Sequence, residues 1–195
     1  MTTRNFDIDL KTGKNTEKEL ANILRCKLSN LTYIDEVDWK KYGFDLRATF
    51  ENDKGQHYDK NIEVKGLAGQ KVVQWGKTTI TEHLDTGVVE VWADDQKRKR
   101  PHWFRDDVDI IVFKNKVRGK FYFYQAQPVI EYLKNWNGKL TWAKNDCEDT
   151  SGWIMQFYWS PDERDNMHPN FVDENKFLPG FMFELQGKIE DELPQ

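Results

Sequence analysis

The sequence predicts an α/β domain, because one helical stretch is followed by several short segments of alternating polarity. Apolar residues recur at the spacing of one helix face early in the chain, at Leu20, Ile23, Leu24 and Leu28. Two later segments, residues 44–50 and 61–66, alternate between polar and apolar side chains. The Asn-Asp-Lys-Gly sequence at residues 52–55 favours a tight turn between them. We therefore expect a helix that packs on a sheet containing a β-hairpin.

The helix is predicted to begin near Thr16. Thr16 followed by Glu19 matches the capping box, in which two side chains satisfy free N–H groups at the start of a helix. Glu17 lies along the edge of the apolar stripe, close in helical position to Leu20 and Leu24, and is expected to lean toward the sheet. The pattern therefore gives Glu19 a structural role and leaves Glu17 as the candidate functional residue.

The hairpin is expected to bring two carboxylates together. If the chain reverses near residue 54, the numbers of paired residues sum to about 108, so that Asp45 lies opposite Glu63 and Leu46 opposite Ile62. Directly opposite residues share a face, with Cβ atoms about 4.5–5.5 Å apart. Lys65 is two residues beyond Glu63 and points to the same side.

This grouping of charges predicts a metal site. Two adjacent carboxylates repel each other unless a cation lies between them. Magnesium binds one or two carboxylates together with waters and phosphate oxygens, which suits Asp45 and Glu63. The ammonium of Lys65 could orient or deprotonate an attacking water and stabilise charge on phosphate. The alternative is a cross-strand salt-bridge cluster of the same three residues with no catalytic role.

Further strands and a helix are predicted in the second half of the chain, at residues 88–92, 109–113, 120–125 and 128–136. Glu90 lies on the first of these strands. It could be another acidic neighbour of the metal, although a strand carboxylate is more often simply solvated.

The hairpin residues resemble a known motif. Asp45, followed by Glu63-Val64-Lys65 at the end of the next strand, resembles the core of the PD-(D/E)XK nucleases, the restriction-endonuclease-like superfamily. Phe44 stands where that motif usually has a proline. The segment at residues 13–20 is similar to the first helix of archaeal Holliday-junction resolvases, in which a helix glutamate joins the metal site. Residues 88–113 are more loosely similar to the second half of phage-encoded members.

The resemblance implies a restriction-endonuclease-like mixed sheet flanked by helices. It also implies magnesium-dependent hydrolysis of DNA, with manganese able to substitute, and a homodimer in those relatives that cut both strands. The implied metal ligands are Asp45, Glu63, the backbone carbonyl of Val64 and Glu17, and Lys65 is the implied water-orienting cation.

The composition of the chain is compatible with a small enzyme. Its 195 residues suit one domain. No apolar run reaches the length of a membrane helix and the charged N-terminus differs from a signal peptide, so we expect a cytoplasmic protein, in the host cytoplasm if phage-encoded. The two cysteines and four histidines form no ligand motif, which argues against structural zinc and disulfides.

Charge divides the chain into two parts. The net charge of −4 separates into +5 for residues 1–145, the predicted nuclease-like core, and −9 for residues 146–195. The second part is an acidic, aromatic-rich C-terminal extension that we expect to pack on the same domain.

A basic loop is the predicted nucleic-acid-binding surface. It places cations beside an aromatic ring, as phosphates and unstacked bases require, and comprises Lys97, Arg98, Lys99, Arg100, Trp103 and Arg105. A solvated charge run is the alternative.

Several functions remain open from the sequence. An RNase or a Holliday-junction resolvase could use the same fold, because no residue reports contact with a 2′-hydroxyl or readout of bases. A non-catalytic nucleic-acid-binding or partner-binding protein could keep the fold without turnover. A DNA-mimic inhibitor could act through the acidic extension.

Overall fold

The computed structural model describes residues 6–65, 68–75, 78–94, 96–115, 118–138, 140–143, 152–157 and 177–187. Within these ranges the helices are α1 (Phe6–Lys27), α2 (Trp39–Tyr42) and α3 (Ala126–Lys134). The strands are β1 (Leu31–Glu36), β2 (Leu46–Glu51), β3 (His57–Lys65), β4 (Ala68–Trp75), β5 (Thr78–Trp92), β6 (Ile110–Asn115), β7 (Lys120–Gln125), β8 (Thr141–Ala143), β9 (Gly152–Phe157) and β10 (Phe181–Gln186). The protein is thus a mixed α/β structure, as the sequence predicts at this coarse level.

The strands form two sheets. A six-stranded sheet has the order β1-β2-β3-β6-β7-β10, and a four-stranded sheet has the order β4-β5-β9-β8. The β3–β6 pair is parallel, whereas the other neighbouring strands pair in antiparallel fashion. Parallel neighbours need a long crossover connection, and here that connection contains the β4–β5 hairpin of the second sheet.

The predicted hairpin is confirmed in position and register. Leu46 pairs with Ile62 and Arg47 with Asn61, which is the pairing expected from a reversal near residue 54. At the turn, the N–H of Gly55 donates to the carbonyl of Asn52 at 2.9 Å. Gly55 has φ of +73°, a left-handed conformation that glycine adopts without steric cost.

The prediction that α1 begins near Thr16 is wrong. The helix already begins at Phe6, so that Thr16 and Glu19 lie in its interior rather than at a capping box. One interior glycine, Gly13, costs a helix only about 1 kcal/mol and does not end it. Glu19 nevertheless has a structural role: its Oε2 lies 2.7 Å from the Nζ of Lys114, and both side chains are largely buried.

The core occupies both faces of the six-stranded sheet. Alternate residues of β6 and β7 point to opposite sides, as strand geometry requires. One face packs on α1 through a cluster that includes Leu20, Leu24, Leu46, Ile62 and Val112. The other face packs on α3 and on parts of β5 and β9 through a cluster that includes Trp103, Phe113, Val129, Val91 and Phe157. The two helices therefore lie on opposite sides of the strands that carry the candidate site.

The C-terminal extension contributes to both sheets. Residues 152–157 form β9, which pairs with β5, and residues 181–186 form β10, which pairs with β7. Residues 144–151, 158–176 and 188–195 lie outside the described part of the chain, and they contain most of the acidic residues of the extension. The two described segments contribute strands to the two sheets.

In the part of the chain that the structure describes, no helix is both long enough and apolar enough to span a membrane.

Candidate active site at the end of the central strand

The site lies where β2 begins and β3 ends. Asp45 directly precedes β2, and its N–H donates to the carbonyl of Ile62 at 3.0 Å. The N–H of Val64 donates to Oδ2 of Asp45 at 2.8 Å. The regular ladder starts only at Leu46, so the side chain of Asp45 is fixed by the backbone of β3 rather than by a regular strand pair. This contact holds the Asp45 carboxylate beside Glu63.

Glu63 is a buried acid with one unsatisfied oxygen. Its side chain is 1% exposed. Oε1 lies 2.5 Å from the Nζ of Lys65, whereas Oε2 has no hydrogen-bond partner among the described residues. A buried polar atom without a partner costs about 1–3 kcal/mol, so this oxygen is expected to take a proton or a cation.

Glu17 approaches the same place from α1. Its half-buried carboxyl interacts with the charges of Asp45 and Glu36, and burial together with these charges raises the pKa of Glu17 to about 7. The sequence-based choice of Glu17 over Glu19 therefore agrees with where the helix places the two side chains, since Glu19 contacts Lys114 instead.

The positive charge of Lys65 does not balance the three carboxyl groups of Asp45, Glu63 and Glu17. Burial is the largest cause that raises the pKa of Glu63 to about 7; Asp45 and Glu17 contribute, and Lys65 opposes the rise. Burial also raises the pKa of Asp45, against the opposing effects of Lys65, the N–H of Val64 and a side-chain hydrogen bond with Glu63, which requires one of the two acids to carry a proton. Near neutral pH the site therefore retains protons that a divalent cation could displace.

Lys65 is the cation at the centre of the site. Its side chain is 19% exposed, and its Nζ lies 5.8 Å from the centre of the Trp103 ring. Burial lowers the pKa of Lys65, but the charges of Glu63 and Asp45 outweigh that effect and keep its pKa above the ordinary value. Lys65 is therefore a positively charged ammonium at physiological pH.

Glu90 is a further acidic neighbour. Burial raises its pKa, and the charges of Lys65 and Lys99 oppose that rise. The alternative prediction, a simply solvated strand carboxylate, is therefore wrong, because Glu90 is partly buried and interacts with Lys65.

His102 is the site residue that the sequence did not identify. Its Nε2 lies 3.7 Å from Oε1 of Glu63, and its side chain is 48% exposed. Burial of the ring, together with the charges of Lys65 and Arg105, lowers the pKa of His102 to about 4, so the imidazole is neutral at pH 7. No sequence spacing signals this contact, because it depends on how the loop after β5 folds back toward β3.

The donor set fits a magnesium ion in part. Among the residues whose side chains are described, no three His, Cys, Asp or Glu side chains are grouped closely enough to hold a metal by themselves. Magnesium needs only one or two protein carboxylates, since waters and phosphate oxygens complete its coordination. Asp45 and the unsatisfied oxygen of Glu63 meet that requirement.

Three of the six predicted nucleic-acid-binding residues, Arg100, Trp103 and Arg105, make contacts within the protein. Arg100 donates to the carbonyls of Val91 at 3.0 Å and Lys134 at 2.9 Å, and its guanidinium stacks 3.5 Å from the centre of the Trp92 ring. It therefore caps the C-terminus of α3, where cations are favoured. Both terminal nitrogens of Arg100 thus donate within the protein, which gives it a structural role, and its contact with nucleic acid stays a prediction.

Trp103 and Arg105 also differ from the prediction. Trp103 is fully buried in the core, so it cannot stack on unpaired bases. Arg105 forms an exposed two-pronged pair with Asp107, at 2.7 and 2.6 Å, which uses part of its hydrogen-bonding capacity within the protein. An aromatic residue among cations in the sequence indicates nucleic-acid binding. The sequence does not show that this residue is buried, because burial depends on tertiary packing.

The remaining three basic residues stay on the surface. Lys97, Arg98 and Lys99 are exposed. The backbone N–H groups of Arg98 and Lys99 donate to Oδ1 of Asp94 at 2.7 and 3.0 Å, which fixes the loop. Lys97 has φ of +55° and places its Nζ 4.3 Å from the centre of the Trp153 ring.

The site as a whole combines two adjacent carboxyls, a third from α1, a buried ammonium and a neutral imidazole. Such a set can bind a divalent cation and a phosphate group side by side. Comparison of the chain with protein-family models, curated proteins and solved structures finds no match.

Proposed function

We propose that this protein is a metal-dependent nuclease that hydrolyses DNA phosphodiester bonds with Asp45, Glu63 and Lys65. The observation that carries the proposal is the buried Glu63, which has one oxygen against the ammonium of Lys65 and the other without a partner. The buried Glu19–Lys114 pair is balanced, with one acid to one cation, whereas here Asp45 and Glu63 share the ammonium of Lys65. Buried acids whose charge is not balanced within the protein are enriched at functional sites.

The metal would be held by Asp45, Glu63 and the backbone carbonyl of Val64, with Glu17 as a supplementary ligand. When bound, magnesium supplies Lewis-acid activation of the phosphate and a lower pKa for a coordinated water, and manganese is expected to substitute. Burial is the main cause of the raised pKa values of Glu63 and Glu17, and a bound cation would displace the protons that these acids keep near pH 7.

Lys65 supplies positive charge at the reacting phosphate. Oε1 of Glu63 lies 2.5 Å from its ammonium, and the centre of the Trp103 ring lies 5.8 Å from it. A cation fixed in this way pays little reorganisation energy when charge develops on the phosphate oxygens. The same ammonium can orient the attacking water, while Val64 keeps the Asp45 carboxylate in position through its N–H.

The topology supports a restriction-endonuclease-like fold for this site. One helix precedes three antiparallel strands, and the third of these strands pairs in parallel with β6. The PD-(D/E)XK resemblance implies this arrangement of a mixed sheet, with acids near the ends of the second and third strands. In this protein the crossover from β3 to β6 contains the β4–β5 hairpin of the second sheet.

A direct test compares wild type with Lys65→Ala on supercoiled plasmid, linear duplex, single-stranded DNA and a four-way junction. Each reaction is run with magnesium, manganese or EDTA. We expect cleavage that requires metal and falls at least about 100-fold in the variant, as loss of one preorganised charge typically does. Lys54→Ala is the matched control, because Lys54 is an exposed lysine in the β2–β3 turn at the far end of the same strands.

A non-catalytic nucleic-acid-binding protein is the second candidate. It is favoured by the absence, among the described side chains, of a three-residue metal-holding group. In that case wild type binds DNA but cuts none of the four substrates in any metal, and Lys65→Ala changes neither result.

A further inference from the structure

The candidate site is strongly acidic for a site that receives a phosphodiester. The charges of Glu63, Asp45 and Glu90 act on one largely buried lysine, Lys65, and Glu17 adds a further acid beside Asp45 and Glu63. A bound divalent metal offsets part of this charge, but an approaching DNA strand must also pass the acidic residues. Cations at the rim of the site would lower that barrier, because phosphate contacts supply most of the affinity of proteins for DNA.

Two such cations lie on α1. Lys14 and Lys18 are four residues apart, one helical turn, so they share a face of the helix, and both are exposed. Glu17 lies between them in sequence, and both lysines oppose the rise in its pKa, as close neighbours of its carboxyl do. The helix therefore presents two positive charges next to the acid that it directs into the site.

A third cation comes from the loop that follows β5. Lys99 is exposed, and its backbone N–H is fixed by Asp94 at 3.0 Å. Lys99 lies three residues before His102, whose Nε2 is 3.7 Å from the Glu63 oxygen that Lys65 also contacts, so the loop runs beside the Lys65 side of the site. Arg100, the next residue, anchors this loop to α3.

We propose that Lys14 and Lys18 on α1 and Lys99 on the Asp94 loop bind backbone phosphates of a DNA strand on the two sides of the Asp45–Glu63 pair. The helix and the loop approach from opposite faces of the six-stranded sheet, since α1 packs on one core cluster and α3 with the loop packs on the other. A strand that contacts both groups must cross the end of β3, where Lys65 lies. This inference rests on the proposed function and assigns its substrate-binding residues.

Binding of a labelled DNA duplex, followed by fluorescence anisotropy over a salt series in EDTA, tests the proposal without cleavage. The test variant is Lys14→Gln with Lys18→Gln. The control is Lys27→Gln with Lys54→Gln, which removes the same charge from two exposed lysines; Lys27 is about 14 Å further along α1 than Lys18. Lys99→Gln is measured separately, and thermal melting checks that each variant is folded.

We expect the double variant at residues 14 and 18 to lower the slope of log affinity against log salt by about 1.8, since each contact to B-DNA contributes about 0.9. Affinity near 0.1 M salt should then fall roughly 10- to 60-fold, whereas the control should stay within about twofold. Lys99→Gln should lower the slope by about 0.9. Equal losses in test and control variants, or a wild type that does not bind DNA, would overturn the proposal.

Cleavage separates this inference from the proposed nuclease activity. If wild type cuts no DNA yet the variants at residues 14, 18 and 99 lose affinity, the assignment of these lysines, the phosphate-binding rim, is supported and the nuclease proposal fails. If wild type cuts DNA and the three lysines change neither binding nor cleavage, the nuclease proposal stands and the rim is wrong.

Discussion

Replacing Glu63 with glutamine should stabilise the metal-free protein at alkaline pH. Glu63 is 1% exposed, and its pKa is raised from 4.5 to about 7, mainly by burial. The unfolded chain therefore releases this proton before the folded protein does. The contribution of Glu63 to stability is fully present below pH 4.5, falls as the pH rises from 4.5 to 7, and stays at its lowest value above pH 7.

The size of this effect follows from the shift. A change from 4.5 to about 7 corresponds to about 3 kcal/mol at roughly 1.4 kcal/mol per pKa unit. Because Asp45, Lys65 and Glu63 titrate as a coupled group, we expect about 1–3 kcal/mol for the single substitution. A glutamine resembles the protonated acid in shape, so the variant should equal wild type near pH 4.5 and exceed it at pH 8.

Urea unfolding in EDTA at several pH values between 4.5 and 8 measures this difference. Glu131→Gln is the control, because Glu131 is an exposed carboxyl on α3. Because His102 contacts Glu63, the same comparison is repeated with His102→Asn in both proteins, which removes the titration of the imidazole. Saturating magnesium should raise the stability of wild type and of Glu131→Gln more than that of Glu63→Gln. A difference between Glu63→Gln and wild type that is flat with pH, or that favours wild type at pH 8 in EDTA, would refute the burial argument.

The two remaining predictions concern Arg100, which contacts the end of α3, and Glu19, which lies in the interior of α1. Arg100→Gln should lower the free energy of unfolding by about 1–2 kcal/mol, since the variant loses the hydrogen bonds to carbonyls at the end of α3 and the stacking on the Trp92 ring. The slope of log affinity for DNA against log salt should stay unchanged. A lower slope would support contact of Arg100 with nucleic acid. Glu19→Ala should lower the free energy of unfolding by about 3 kcal/mol, because it leaves Lys114 buried without its partner. Thermal and urea unfolding measure both, and a neutral Glu19→Ala would contradict the buried-pair assignment.

The hairpin at the centre of the site is predictable because its signals are local. Alternation of polarity sets which residues share a face, and the Asn52–Gly55 turn sets the register, so Leu46 meets Ile62 as expected. The proximity of Asp45, Glu63 and Lys65 follows from the same register. The regular ladder stops one residue short of Asp45, a detail that depends on the Val64 contact and has no sequence signal.

The parts that sequence did not predict depend on tertiary packing. A capping-box pattern at Thr16 and Glu19 is overridden because the helix continues through Gly13 to Phe6. Trp103 lies among cations in sequence but is buried in the core. The sequence separation between His102 and Glu63 matches no motif, and the two side chains meet because of how the loop after β5 folds.

The measurement that tests the central proposal most directly is cleavage of supercoiled plasmid by wild type and Lys65→Ala, with magnesium and with EDTA. The site geometry predicts nicked or linear product only for wild type with magnesium. Equal cleavage by the two proteins, or cleavage that persists in EDTA, would contradict a metal-dependent nuclease built on Asp45, Glu63 and Lys65.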